Sequence, residues 1–408
     1  MIKYICMVDI KLKGGRVDMK YNFDEIVDRR NTDSIKWGNL KQTFGEEDLL
    51  PMWVADMDFK APTEVIEAFK ERVQHGVFGY TWIQDSFYDA IINWVKRRFN
   101  WDIKKEWILF IPGVIPGLSI GVRELTNEGE KVLIQPPVYP PFYEVINNNN
   151  RVINKNPLKH NGKKFVMDYE DLEKKIDEET KLMILCNPHN PVGRAWTKEE
   201  LEILGHICVK NDLTIVCDEI HSDFILKGYK HTPLATISKE LEQRTITLMA
   251  PSKTFNIPGL ATAFAIIPNP DLRNKYQKAI KALRIDNITI FGALGLETAY
   301  NKGEEWLEEL LKYIEYNVDF AIDYIHKNIP EVEVDRPEGT YLLWLNFKKL
   351  NKTSDEIYKA LIEVGKVALN DGRQYGEEGD GFFRLNVGCP KATLEEGLKR
   401  IEKAIKSL

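Results

Sequence analysis

The apolar positions of this chain form short unbroken runs that alternate with stretches of helical period. Phe87, Ala90, Ile91, Trp94 and Val95 repeat at helical spacing and predict a helix over residues 86–99. A helix before it starts near Thr63 and stops at Gly76. Residues 107–111, 131–134, 151–153, 181–186, 213–217 and 246–249 are apolar runs bounded by turn residues, and each predicts a buried strand. Thr197 and Glu200 form a capping box that opens a helix over 197–211. Strands alternating with helices predict an α/β domain with a largely parallel sheet.

From Asn301 the texture changes. Residues 304–326 form one long amphipathic stretch halted before Pro330. Two short strands follow, 331–334 and 341–345. Two further helices are expected behind the capping boxes Thr353/Glu356 and Thr393/Glu396. The expected organisation is a large α/β domain over 62–300 and a smaller α+β domain from 19–61 with 301–408, its N-terminal part an arm. Residues 1–18 are expected to be an extension outside the fold, because Met19 begins a more natural start.

Composition narrows the class. The 408 residues are 43% hydrophobic and 29% charged, with room for a large core. The net charge of −6 gives no basic footprint, so no nucleic-acid partner is expected. No apolar run nears the roughly 20 residues of a membrane span. Five widely spaced cysteines read as reduced thiols of a cytoplasmic protein rather than a disulfide framework. The N-terminus lacks the basic region and cleavage site of a secretory signal.

Polar clusters stand at three successive strand ends: Asn187/Asn190, Asp218/His221 and Ser252/Lys253. Ligands of open parallel sheets bind outside the carboxyl ends of their strands. A lysine just past a strand end, partly desolvated, supplies the free amine that condenses with an aldehyde. Pyridoxal phosphate (PLP) requires such a lysine, an acid facing its ring nitrogen, an aromatic on its ring, donors for its phosphate and an arginine for the substrate carboxylate. Asp218 is the candidate acid, since a carboxylate there keeps the nitrogen protonated. The turn Pro112-Gly-Val-Ile-Pro-Gly117, between a strand and a helix, is laid out to offer backbone N–H groups to a phosphate.

The motifs Asn187-Pro-His-Asn-Pro-Val-Gly193, Asp218-Glu-Ile-His-Ser-Asp223 and Ala250-Pro-Ser-Lys-Thr-Phe-Asn256 resemble, in order and spacing, the fold-type I, class I/II aminotransferase superfamily of PLP enzymes. Lys36-Trp37, Met52-Trp-Val-Ala-Asp-Met-Asp-Phe59 and Phe383-Arg-Leu-Asn-Val-Gly-Cys-Pro390 narrow the resemblance to the PLP-dependent C–S lyases of the PatB/MalY type. The resemblance implies the fold-type I architecture and assigns roles. Lys253 is the Schiff-base lysine and catalytic base, and Asp218 the pyridinium partner. Asn190 is the donor to the ring hydroxyl, with His221 where many aminotransferases carry a tyrosine. Tyr139 is the stacking aromatic. Val114, Ile115 and Ser252 are phosphate donors. Tyr80 is a catalytic tyrosine that reaches the phosphate of a neighbouring subunit, which implies a homodimer. Arg384 grips the substrate carboxylate, with Asn190 and Ala55 also placed against substrate. One departure stands out: Ala261 follows Pro258-Gly-Leu260, where many aminotransferases have a phosphate-binding arginine.

The expected activity is β-elimination on an amino acid with a sulfur leaving group, such as L-cystathionine or L-cysteine, giving a thiol, pyruvate and ammonia. Transamination to a 2-oxo acid is the alternative, because both reactions draw on the same residues. A metal-dependent hydrolase using Asp218, Glu219, His221 and Asp223 would leave Lys253 and Arg384 without roles, and no metal is expected. A catalytically silent regulator would need a DNA-binding extension that the sequence does not show. Asp56 and Asp58 read as solvated or capping carboxylates.

Overall fold

The computed structural model describes residues 10–12, 15–17 and 19–408. Of the expected extension, a short antiparallel hairpin, Ile10–Leu12 with Gly15–Val17, falls within this range. The rest of that expectation lies outside the described residues.

The centre is a seven-stranded sheet: β1 (Ile108–Ile111), β2 (Lys131–Ile134), β3 (Val152–Lys155), β4 (Thr180–Cys186), β5 (Thr214–Asp218), β6 (Thr245–Met249) and β7 (Ala263–Ile266). The spatial order is β1-β7-β6-β5-β4-β2-β3. Only β7 runs antiparallel to its neighbours. The middle strands are apolar on both faces because helices cover both sides of the sheet. The mostly parallel sheet with helical layers is the α/β arrangement that the alternation of strands and helices predicts.

Helices α1 (Thr63–His75), α2 (Asp85–Phe99), α3 (Val114–Leu125), α4 (Lys198–Lys210), α5 (Pro270–Leu283) and α6 (Ile290–Lys302) surround the sheet. Gly76 ends α1 in the left-handed region, as its sequence position predicts. The Thr197/Glu200 box closes in both directions. Helix α3 packs tightly because it carries glycines. A Cβ at Gly117 would sit 2.6 Å from Ile111, and one at Gly121 would sit 2.8 Å from Val216. Larger residues there would lift the start of α3 off the sheet.

The long helix α7 (Glu304–Asn328) leads to a four-stranded antiparallel sheet of β8 (Glu333–Val334), β9 (Leu342–Asn346), β10 (Asn370–Asp371) and β11 (Phe382–Asn386), in the order β8-β9-β11-β10. Helix α8 (Lys391–Ile405) closes the chain. The Thr353/Glu356 box is present, but the Thr393/Glu396 box is not. Helix α8 begins earlier, at Lys391, with Pro390 as its N-cap. Thr393 therefore lies inside the first turn.

The region before α1 departs further from expectation. Tyr21, Phe23 and Phe59 are buried against Trp306 and Tyr313 of α7, so this arm contributes to the core. Asp58 is buried rather than solvated. Lys36 Nζ, itself 1% exposed, reaches Asp58 Oδ2 at 2.6 Å. Arg29 Nη1 and Trp37 Nε1 donate to Asp58 Oδ1 at 2.7 and 3.0 Å. Arg29 Nη2 also pairs with Asp56 at 2.6 Å. Burial pushes the Asp58 carboxyl up, but Lys36, Trp37 and Arg29 outweigh it and hold it below its usual value. Its contribution to stability is thus present above the ordinary carboxylate range and fades as pH falls through it.

Breaking a buried pair leaves a charge without its partner. Lys36→Ala is expected to cost roughly 3 kcal/mol, read as a lower urea midpoint with an unchanged slope.

Candidate active site

Strands β6, β5 and β4 lie side by side. In register, Leu248 stands beside Asp218 and Asp218 beside Cys186. The chain after each strand therefore emerges at one end of the sheet. Residues 251–254 turn at once into a short helix, which sets Lys253 at the rim. Together these ends enclose a cavity of about 200 Å³. Its lining includes Ala55, Val114, Ile115, Tyr139, Asn190, Asp218, His221, Ser252 and Lys253. Nine of the eleven residues singled out from the sequence thus meet in one place.

The other two lie outside the lining. Arg384, on β11, is 3% exposed and reaches the site through Asn190, whose Oδ1 accepts from its Nη1 at 3.0 Å. Its guanidinium also lies over the Tyr375 ring. Tyr80 is fully exposed and does not touch the cavity of its own chain.

At the cavity floor Asp218 is 3% exposed and accepts one hydrogen bond, from Ile220 N–H at 3.1 Å. It has no ion-pair partner among the described residues. Burial pushes its carboxyl up to about 7, against the Ile220 bond and the Lys253 charge. Burial, and then Arg384, bring the Lys253 amine down to about 8, opposed by Asp56 and Asp218. Lys253 is therefore an amine that loses its proton near neutrality. Burial, then Lys253 and Arg384, hold His221 well below its usual value, so its ring is neutral. Burial and the nearby Asp218 push Cys186 far up, so it remains a thiol and is no nucleophile.

At the opposite end stands the first turn of α3. Val114 and Ile115 are its first residues, and their N–H groups have no helical acceptor. Pro116 carries no N–H, and Gly117 N–H returns to the Gly113 carbonyl at 3.2 Å. Two free donors thus face the cavity at the positive end of a helix. Thr262 and Ala261 line this end as well. Ala261 brings no cation, so among the described residues Lys253 is the only cationic side chain in the lining.

Sequence reasoning missed how residues 53–57 are held. Their five carbonyls all accept from side chains: Trp53 from Arg384 at 2.8 Å, Val54 and Asp56 from Asn386 at 2.6 and 2.7 Å, and Met57 from Asn256 at 2.8 Å. The Ala55 carbonyl accepts from Lys253 Nζ at 2.7 Å and from the Tyr341 hydroxyl at 2.8 Å. No local pattern marks Asn386 or Tyr341 for this task.

The metal-hydrolase reading loses its ligand set. Glu219 is taken by His231 at 2.8 Å, and Asp223 by Thr254, Arg98 and Trp94. Among the described residues no group of three His, Cys, Asp or Glu side chains could hold a metal ion.

Residues 47–401 match the family described as aminotransferase class I and II. The chain belongs to that family. Cystathionine β-lyase PatB of Bacillus subtilis is 44% identical over 385 residues, which cover 94% of this chain and all of that protein. Among solved structures, PLP-containing cystalysin from Treponema denticola aligns with a TM-score of 0.92 at 36% identity, over 95% of this chain and 99% of that one. The PLP-bound C–S lyase from Staphylococcus hominis aligns at 0.88 and 32% identity, over 94% and 98%.

The geometry suits PLP. Asp218 is a buried carboxylate without a cation, the complement of a protonated ring nitrogen. Among the described residues His221 Nδ1 and Arg384 Nε are buried without partners, and the N–H pair that opens α3 suits a phosphate. Capture of PLP by the cofactor-free chain needs the unprotonated amine. Its rate is expected to climb with pH and level off above about 8, where Lys253 has lost its proton. The growth of the visible absorbance band measures this, and a flat rate from pH 6 to 9 would refute it.

Proposed function

We propose that this chain is a PLP-dependent C–S β-lyase that cleaves amino acids of the L-cystathionine and L-cysteine type to a thiol, pyruvate and ammonia, with consumption of water. The observation that carries the reading is the Asp218–Lys253 arrangement: a buried, unpaired carboxylate and an amine poised near neutrality in one cavity. Relatives named cystathionine β-lyase and C–S lyase favour elimination over transamination.

Lys253, Asp218, Asn190, His221, Tyr139, Val114, Ile115 and Ser252 would hold the cofactor. Bound there, PLP supplies an electron-withdrawing ring that acidifies the substrate Cα–H. Asp218 would keep a proton on the ring nitrogen through its opposite charge. Asn190 would donate to the ring hydroxyl, and Tyr139 would pack against the ring. The Lys253 amine takes the Cα proton, and its depressed pKa fits that task. Arg384 holds the substrate carboxylate, with Asn190 and Ala55 beside it.

The reading includes a homodimer. Val73, Val77, Phe78, Tyr80 and Trp82 are exposed in one stretch, and Ile115 is half-exposed in the cavity lining. Such a run suits burial by a second copy, and a fully exposed Tyr80 suits a role in the partner's site. A monomeric sedimentation coefficient would overturn this part. The four described cysteines, Cys186, Cys208, Cys217 and Cys389, are buried and free, which supports a reducing cytoplasm; cell fractionation tests it. No helix among the described residues is long and apolar enough to cross a membrane.

The deciding experiment follows pyruvate and free thiol from L-cystathionine over many turnovers, with PLP but no oxo acid. Sustained release of both is expected. A single stoichiometric half-reaction that continues only with an added oxo acid would make the protein an aminotransferase.

A further inference from the structure

The Ala55 carbonyl is shared. Lys253 Nζ and the Tyr341 hydroxyl both donate to it, at 2.7 and 2.8 Å. The carbonyl cannot swing, because its neighbours on both sides are fastened by Asn386 at Val54 and Asp56.

Tyr341 is aimed by unusual backbone. Thr340 before it has φ +69°, a conformation that a β-branched residue rarely adopts. Strain of this kind persists only where the surroundings over-determine it, and it gathers at working sites. Here Thr340 N–H is fastened to the Phe224 carbonyl at 2.8 Å, and Thr340 Oγ1 accepts from Leu342 N–H at 3.2 Å. A Cβ at Gly339 would meet that same Phe224 oxygen at 2.7 Å. The Tyr341 ring is wholly buried, edge-on to Phe224 and His221. Burial pushes its phenol up, so it stays a donor.

We propose that Tyr341 is a positioning residue for Lys253, acting through the Ala55 carbonyl that both side chains share. A carbonyl oxygen has two lone pairs. With one taken by the phenol, the lysine is held by a single bond to a fixed post. The post keeps the amine in place when it is not joined to the cofactor, and the phenol weakens the acceptor's preference for the ammonium form. This role takes its catalytic meaning from Lys253 being the cofactor's lysine, but its chemistry is present in the cofactor-free chain. The charged groups facing Lys253 are Arg384 from β11, Asp56 from residues 53–57 and Asp218 from β5. His221, Tyr139 and Cys186 complete the titratable lining.

The test is Tyr341→Phe, which keeps the ring and deletes one hydroxyl. The full chain, freed of cofactor, is labelled with trace acetic anhydride across pH 6 to 10. Mass spectrometry reads Lys253, with exposed lysines such as Lys302 as internal reference. Without the phenol the carbonyl is a stronger acceptor for the ammonium. The Lys253 inflection is expected to rise by about half a unit to one unit, leaving roughly threefold to tenfold less free amine at pH 7. The pH at which PLP capture levels off rises with it. An inflection that stays in place or falls, in a variant whose circular dichroism matches the parent, would overturn the role. Because labelling needs no cofactor, this result stands apart from the lyase assay: an enzyme that fails on L-cystathionine can still show the shift.

Discussion

Lys253→Ala is expected to lose roughly 10³-fold or more in pyruvate release from L-cystathionine, with the visible absorbance band of the holoenzyme absent. Among the described residues no other cationic side chain lines the cavity, so none of them can substitute. The short helix at 251–254 fixes the amine's approach, and the bond to Ala55 sets its resting place. Lys253→Arg is the more telling variant. It restores charge and length, but a guanidinium does not deprotonate in a protein. If positive charge alone mattered, arginine would rescue; if a proton must be moved, it will not. A coupled assay for pyruvate with both variants reads the difference. Retention of more than a tenth of parental turnover by either would remove Lys253 from the chemistry.

Asp218→Asn is expected to act in opposite directions on rate and on stability. Turnover falls by roughly 10²-fold or more, because a neutral amide no longer favours a proton on the ring nitrogen. Stability of the cofactor-free chain moves the other way. The carboxyl titrates near 7 in the folded chain against 3.8 as a free group. Between those values the folded chain holds the extra proton, so stability falls as pH rises through that window. Asparagine removes this dependence. At pH 8 the cofactor-free variant is expected to melt higher than its parent by about a few °C, and near pH 4 the two should approach each other. A variant that melts lower at pH 8 would mean that the Asp218 charge supports the fold itself. Thermal scans at the two pH values decide the matter without substrate.

The parts of this molecule that could be read from sequence share one property: their partners are near in the chain or follow a period. The apolar stripe of α2 and the runs of β4, β5 and β6 announce themselves within a few residues. Asp218, Asn190 and Lys253 are legible because each stands at or shortly past the end of such a run, where a parallel sheet places its ligands. The start of α8 shows how a local rule fails. Thr393 and Glu396 have the spacing of a capping box, yet Pro390 had already begun the helix. Lys36 and Asp58 were opaque for another reason. Charged residues are usually solvated, and nothing within either neighbourhood shows that they meet 22 residues apart with Arg29 and Trp37 around them. Tyr341 is harder still. It stands just before a strand as many tyrosines do, and its hydrogen bond spans 286 residues.

The fastening of residues 53–57 also says something about the order in which the protein is made. Their carbonyls wait for Lys253, Tyr341, Arg384 and Asn386, which follow them by 198 to 332 residues. A ribosome releases that segment early and its fasteners late. Until the strand ending at Asn386 has emerged, the carbonyls of Trp53, Val54 and Asp56 lack their fasteners, however well the central sheet has formed. A chain cut short before that strand could keep much of its sheet and still have no finished site. Assembly of the catalytic cavity is therefore tied to completion of synthesis.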